Sequence, residues 1–285
     1  MERGVDGFAK RRRMALDGLR KPLYYFVFPP FNVIFVRENK REYNRGTCER
    51  VIARDRRRRR NLLILASGSP RRKELLAKLG LRFQIRCPDV DETNGEAETP
   101  PMLARRLSLS KAMAAAHCGE PEIVIAADTL VALEGEVLGK PRDARHAVEM
   151  LTRLRGRMHL VYSGLTMLDV GQNRVIDEIV ETPVWMRAYS DEEIAAYVAT
   201  GDPIDKAGAY AIQHPSFTPV ERIKGCYANV MGLPLCHVYR GLAAMNELPP
   251  VHPLGNCHQA VAQGCPWAAG ILGARPVVTT GNFLE

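Results

Sequence analysis

The sequence has 285 residues and seven cysteines, but it lacks any cysteine pair with C-x-x-C spacing. An odd number of cysteines without framework spacing argues against a disulfide scaffold and predicts reduced thiols, as in a cytoplasmic protein. The spacings among His252, Cys257, His258 and Cys265 match no zinc pattern. We therefore expect neither a disulfide framework nor a structural zinc site.

The sequence also lacks an apolar run long enough to cross a membrane. The most apolar N-terminal stretch, PLYYFVFPPFNVIFV, is 15 residues long, whereas a bilayer requires about 20. Pro29, Pro30 and Asn32 interrupt its middle, and charged residues follow it where a secretory signal would have a small-residue cleavage site. This stretch predicts neither a membrane segment nor a signal peptide.

Acidic residues are scarce at the N-terminus. Residues 1–60 contain 18 Lys and Arg against 7 Asp and Glu, so the net charge of +8 comes from this segment and the remainder is mildly acidic. The composition favours a disordered basic extension. An arm that binds nucleic acid or an anionic membrane is a less favoured alternative, and a translation start downstream of this segment is another.

From residue 61 onwards, strand-like and helix-like patterns alternate, which predicts an α/β fold with a mixed sheet and flanking helices. We expect one domain over residues 61–246 and a tail rich in Pro, Gly and Ala over residues 247–285. Strands are predicted at NLLILAS, LRFQIRC, EIVIAADTLVAL, MHLVYSGLTMLDV, VIDEIVETPVWMRA and DKAGAYAIQ. Helices are predicted after Pro70 and over residues 100–118, DARHAVEMLTRLRG, SDEEIAAYVATG and MGLPLCHVYRGLAAM. No internal repeat is visible.

The stretch SGSPRR connects the first predicted strand to a helix. Ser67 and Ser69 place hydroxyls at the helix start, where free backbone N–H groups favour an anion. Arg71 and Arg72 place positive charge in the first turn, which the helix dipole disfavours unless an anion is bound. An ordinary solvent-exposed basic surface is the alternative, and these residues alone leave the two interpretations evenly balanced.

Carboxylates and lysines form a second set of candidates. Asp128 follows five apolar residues in the most apolar predicted strand, so it requires a cation or hydrogen-bond donors. Lys111 and Lys140 are candidate partners. Glu92 and Asp128, together with phosphate oxygens and waters, form a hard-ligand set that suits Mg²⁺ or Mn²⁺.

Two further patterns concern nucleotides. GEVLGKP fails as a Walker A loop because three residues separate its glycines and Pro141 follows Lys140. The small residues of DKAGAYAIQ permit the close approach of a flat ligand, and the terminal amide of Gln213 can pair with the edge of a base. Each of Lys140 and Gln213 alone is more often a solvated side chain. Together, the arginines, carboxylates, lysines and amide predict a pocket for a phosphorylated, base-bearing ligand and a metal.

The ordered motifs SGSPRR, AADT, GKP, YSGLTM, DKAGAYAIQ and NVMGLPL resemble those of the Maf family of nucleoside triphosphate pyrophosphatases over about residues 61–246. The resemblance implies a fold related to inosine triphosphate pyrophosphatases, with a cleft between two lobes. It also implies hydrolysis of a nucleoside triphosphate to the monophosphate and pyrophosphate, with Asp128 as proton acceptor or metal ligand. Arg72, Thr129 and Gln213 match the family's base-selecting positions. DKAGAYAIQ looks like the corresponding stretch in the branch of the family that acts on dTTP and UTP. Whether the physiological substrate is dTTP, UTP or a modified pyrimidine nucleotide stays open.

A mechanism follows from these residues as a hypothesis. A metal held by Glu92 and Asp128 would polarise the attacked phosphate. The pyrophosphate leaving group would be stabilised by the nearby cations, which are Arg71, Arg72, Lys111 and Lys140.

Two rival functions remain open at this stage. One is nucleic-acid binding through residues 1–60. The other is regulation of septum formation, to which the family has been linked, with nucleotide chemistry in a secondary role. The sequence also leaves a homodimer open.

Overall fold

The computed structural model describes residues 61–93, 98–257, 264–281 and 283. The predictions made for residues 1–60 lie outside the described residues. Within the described part of the chain, no helix combines the length and apolar character needed to cross a membrane.

A mixed sheet surrounded by helices forms the domain, which confirms the predicted α/β fold. The strands are β1 (Leu62–Leu65), β2 (Gln84–Ile85), β3 (Glu122–Leu133), β4 (Glu136–Leu138), β5 (Met158–Asp169), β6 (Arg174–Met186), β7 (Val220–Ile223) and β8 (Thr279–Thr280). The helices are α1 (Pro70–Ala77), α2 (Pro100–Ala115), α3 (Ala144–Leu154), α4 (Asp191–Ala199), α5 (Tyr227–Met231), α6 (Leu235–Ala244) and α7 (Ala268–Gly273). Short 3₁₀ helices cover Asp202–Asp205, Ala207–Ala209 and Pro253–Gly255.

Strand β3 lies inside the sheet, as its apolar sequence predicts. The main strand order is β2-β1-β3-β5-β6-β7, with β4 added to β3 and β8 added to β6. β1 runs parallel to β2 and β3, whereas β5 runs antiparallel to both of its neighbours, β3 and β6. Every residue of β3 except Thr129 is buried, because helices cover both faces of this strand.

One edge of β3 changes partner near its middle. β1 pairs with β3 as far as Ile125, and β4 pairs with the same edge from Val131 onwards. In the described part of the chain, no strand occupies that edge between these two positions. Asp128 and Thr129 lie in this gap.

The apolar core divides at the same level. On the face of β3 that carries Thr129, Ala127 packs in a cluster with β1, α1 and α6, whereas Val131 packs in a second cluster with α3 and α4. This division fits a cleft between two lobes, although the two-lobe arrangement itself stays a prediction.

Helix α2 packs against β5 at unusually short range. A Cβ at Gly164 would lie 2.1 Å from the carbonyl oxygen of Ala104, so glycine at this position permits the helix backbone to touch the strand. Gly164 pairs with Asp128 across the sheet. The contact therefore holds α2, which carries Lys111, close to the gap in β3.

Three predicted elements were wrong in detail. DKAGAYAIQ forms 3₁₀ turns rather than a strand, and Gly208 has a left-handed φ of 68° that a strand does not allow. The final predicted helix, MGLPLCHVYRGLAAM, begins only at Leu235, as α6, because Gly232 ends the preceding helix α5 with φ 115° and Pro234 follows. LRFQIRC contains only the two-residue strand β2, whose side chains are exposed.

The described residues after position 246 contact the preceding domain. The Val251 N–H donates to the Leu79 carbonyl over 3.2 Å, and Arg240 donates to the Ile271 carbonyl over 3.1 Å. β8 pairs with the start of β6, and Cys257 lies in the same core cluster as α1. The predicted domain boundary at residue 246 stays a prediction.

Candidate active site

The loop between β1 and α1 uses its serines as hydrogen-bond acceptors. Ser69 is the N-cap of α1, and its hydroxyl accepts the Arg72 N–H over 3.5 Å. The Ser67 hydroxyl accepts from the Ser69 N–H and from Arg72 Nη1, both over 3.2 Å. Both hydroxyls therefore organise the first helical turn and the side chain that it carries.

Arg72 is held by acceptors from three parts of the chain. Its Nε donates to the Gly232 carbonyl over 2.9 Å, and its two terminal nitrogens donate to Ser67 over 3.2 Å and to Thr129 over 3.3 Å. Burial lowers the pKa of this guanidinium, and the negative charges of Asp128 and Glu92 oppose that effect. The Arg72 guanidinium is thus held by internal acceptors and does not extend freely into solvent.

Asp128 belongs to a separate ionic cluster. Lys111 on α2 lies 2.5 Å from Asp128 and 2.6 Å from Glu92. The hydrogen bond from Lys111 is the largest effect that lowers the Glu92 pKa, and the charges of Lys140 and Arg72 contribute in the same direction. The lysine predicted as a partner for the buried aspartate is therefore Lys111.

Asp128 and Thr129 face opposite sides of the sheet, because successive strand residues alternate. Asp128 faces α2 with its lysine, whereas Thr129 faces α1 with its arginine. Both residues lie in the gap at the edge of β3. The acid–lysine cluster and the arginine network thus meet at adjacent residues of one strand.

Three predicted site residues form no hydrogen bond or ion pair with any described residue. They are Arg71, Lys140 and Gln213. Arg71 is partly exposed, and the other two are exposed. Lys140 lies close enough to lower the Glu92 pKa, and the bond of 3.0 Å from the Gly208 N–H to the Gly139 carbonyl ties its loop to the 3₁₀ segment before Gln213. These groups are available to a ligand.

Sequence reasoning missed Ser163 and Asn229. Ser163 is fully buried, and its hydroxyl oxygen lies 2.8 Å from that of Thr129. The buried amide of Asn229 donates to the carbonyls of Val161 and Val180, both over 3.2 Å, and so ties α5 to the sheet. The motifs YSGLTM and NVMGLPL contain these residues, but their spacing does not show which residues they contact.

The carboxylates partly fit a divalent metal. Oxygens of Glu92 and Asp128 already converge on one cation, the Lys111 ammonium. No group of three or more His, Cys, Asp or Glu side chains with metal-binding geometry occurs within the described ranges. A hard cation bound here would therefore need oxygens from substrate phosphates and water to complete its ligands.

The structure is thus an α/β fold in which cationic and carboxylate side chains lie together at the gap in β3. A family model described as Maf-like protein matches residues 62–245, and the chain belongs to this family.

Relatives with the name dTTP/UTP pyrophosphatase occur in several bacteria. The protein from Dictyoglomus turgidum is 46% identical over 177 residues, which cover 62% of this chain and 92% of the relative. The protein from Geobacter metallireducens is 46% identical over 186 residues, with coverages of 65% and 97%. The protein from Carboxydothermus hydrogenoformans is 47% identical over 180 residues, with coverages of 63% and 96%.

Proposed function

We propose that this protein is a nucleotide pyrophosphatase that hydrolyses dTTP and UTP to the monophosphate and pyrophosphate. One observation carries the proposal: two adjacent residues of β3 contact two different cations. Asp128 contacts Lys111, and Thr129 contacts Arg72. The names of the relatives support pyrimidine nucleotides as substrates. Cytoplasmic action in nucleotide house-cleaning is consistent with the predicted reduced thiols and is part of this proposal.

In the proposed reaction, water attacks the α-phosphorus and the bond from that phosphorus to the bridging oxygen breaks. The Asp128 carboxylate accepts the proton of the attacking water. The Lys111 ammonium lies within hydrogen-bond distance of this carboxylate and of Glu92, and it lowers the pKa of Glu92. The electron pair of the broken bond goes to pyrophosphate.

The leaving pyrophosphate gains negative charge, which cations in the cleft stabilise. Arg71 and Lys140 are suited to this role because neither forms an ion pair with another described residue. When Mg²⁺ or Mn²⁺ is bound by Glu92 and Asp128, it supplies additional charge neutralisation at the phosphates.

Base selection is assigned to Arg72, Thr129 and Gln213. Arg72 and Thr129 form one hydrogen-bonded network, and the exposed Gln213 amide has donors and acceptors free for a base edge. A homodimer stays a prediction and is not required for these roles.

Pyrophosphate release tests the proposal, measured with the common and modified nucleoside triphosphates and with Mg²⁺ or Mn²⁺. We expect dTTP and UTP to be cleaved and Asp128→Asn to be inactive with an unchanged fold. Asp177→Asn is the matched control, because this carboxylate is also 10% exposed and pairs with an α2 cation, Arg105, outside the site. Failure to cleave any triphosphate, or normal turnover by Asp128→Asn, would refute the proposal.

A further inference from the structure

Ser163 lies directly opposite Thr129 in the β3–β5 ladder. Its side chain is fully buried, and the two hydroxyl oxygens are 2.8 Å apart. None of the roles assigned above includes this serine, yet it contacts Thr129, the only residue of β3 that is partly exposed rather than buried.

The direction of the hydrogen bond follows from the partners of Thr129. Its hydroxyl receives an N–H from Arg72 over 3.3 Å and lies 3.4 Å from the Gly232 carbonyl. A carbonyl only accepts, so we assign the single Thr129 proton to Gly232. Ser163 must then donate to Thr129, and no other acceptor for the Ser163 proton occurs among the described residues. The Thr129 hydroxyl is thereby saturated.

The same network limits the freedom of Arg72. A guanidinium has five N–H donors, and three of them are used by Gly232, Ser67 and Thr129. One N–H remains on each terminal nitrogen. Two donors in a fixed plane are suited to acceptor oxygens of a nucleotide, provided that the plane does not rotate.

We propose that Ser163 is a positioning residue that fixes the Thr129 hydroxyl and, through it, the orientation of the Arg72 guanidinium toward the nucleotide. The proposal rests on the proposed pyrophosphatase function. The two faces of β3 then have different roles. Ser163 affects nucleotide binding through Thr129 and Arg72, whereas Asp128 and Lys111 on the other face take part in hydrolysis.

The test compares kcat and KM for dTTP among wild type, Ser163→Ala, Thr129→Val and the double variant. Ser108→Ala is the matched control, because Ser108 is also fully buried and its hydroxyl lies 2.9 Å from that of a different threonine, Thr166 of β5, outside the arginine network. Circular dichroism checks the fold of each variant. Ser163→Cys, which is similar in volume and a weak donor, replaces Ser163→Ala if the alanine variant does not fold.

We expect Ser163→Ala to raise KM about tenfold, the effect of one lost hydrogen bond, and to change kcat by less than about threefold. The double variant should have the KM of Thr129→Val alone, because Ser163 acts through Thr129. Ser108→Ala should match wild type. An unchanged KM in Ser163→Ala, a lower kcat at normal KM, additive effects in the double variant, or an equal effect of Ser108→Ala would overturn the proposal.

Calorimetric binding of dTTP separates this proposal from the pyrophosphatase function. If wild type cleaves no triphosphate, the function fails, but tenfold weaker binding by Ser163→Ala than by wild type would still support positioning. Equal affinities, or no binding by wild type, would overturn the positioning role as well.

Discussion

Lys111 lies 2.5 Å from Asp128, and both side chains are largely buried, with 13% and 10% of their surfaces exposed. Such a pair is held by mutual neutralisation in a site where either charge alone would be costly. The pairing connects stability to the proposed chemistry, because the lysine that contacts the proposed proton acceptor also stabilises its burial.

Replacement of Lys111 by methionine should destabilise the protein. The change leaves the Asp128 carboxylate without its partner, and breaking a buried pair in this way costs about 3–5 kcal/mol. Thermal melting with and without Mg²⁺ measures the effect. We expect Mg²⁺ to stabilise Lys111→Met more than wild type, because Glu92 and Asp128 would then share the metal instead of the ammonium. Identical melting curves for the variant and wild type would contradict this account.

Substitution of Gln213 by alanine should change the ranking of bases without a loss of stability. The exposed side chain forms no hydrogen bond within the described part of the chain, and the loss of one base contact corresponds to about a tenfold change in relative kcat/KM. The measurement compares dTTP, UTP and dCTP. Gln172→Ala, which alters an exposed glutamine in the β5–β6 turn, is the control, and an unchanged ranking in Gln213→Ala would exclude the base-selecting role.

Gly164→Ala should displace α2 from the sheet. The new Cβ would lie 2.1 Å from the Ala104 carbonyl oxygen, and such overpacking costs about 1–3 kcal/mol or more. Because α2 carries Lys111, activity should also fall. Gly171→Ala is the matched control, since its Cβ would meet its nearest neighbour, Pro121 Cα, at 3.7 Å. Equal melting temperatures for the two variants would show that the helix adjusts without cost.

His159 should make the protein less stable in mild acid. Burial lowers the pKa of this imidazole from 6.5 to about 4, and its Nε2 contacts the Tyr210 hydroxyl over 2.8 Å. The unfolded state therefore binds the proton between pH 6.5 and 4 while the folded state does not, so stability falls as the pH is lowered through this window. The full effect is about 3 kcal/mol. Melting temperatures of wild type and His159→Gln, measured from pH 7 to 4, should converge in acid; parallel curves would refute the assignment.

Truncation after Asn246 should reduce stability. It removes β8 from the edge of β6, the hydrogen bond from Val251 to Leu79 in the turn after α1, and the Cys257 side chain from the core. The loss of buried apolar surface alone should cost a few kcal/mol, at roughly 25 cal/mol per Å². Chemical denaturation of the full chain and the truncated chain measures the difference. An unchanged midpoint would mean that the domain is complete at residue 246.

The sequence determined the class of fold and most members of the candidate site. Hydrophobic patterning placed the central strand at residues 122–133, where the structure has β3. Hydrophobic patterning and the N-cap Ser190 also predicted helix α4, because its capping box depends only on local residues. The buried carboxylate of Asp128 required a cation or hydrogen-bond donors for reasons of solvation, so a metal ion or one of two lysines was expected before any contact was known.

Tertiary structure decided how those residues are used. The choice of Lys111 as the partner depends on the contact of α2 with Gly164, and the division of roles between Arg71 and Arg72 depends on the distant carbonyl of Gly232. The contact between Ser163 and Thr129 could be recognised only from the register of β5 against β3, which places the two residues opposite each other. Sequence patterns show local periodicity and the solvation cost of burying single groups. The three contacts named here join residues that are distant in the chain, and these residues meet only after the sheet has formed.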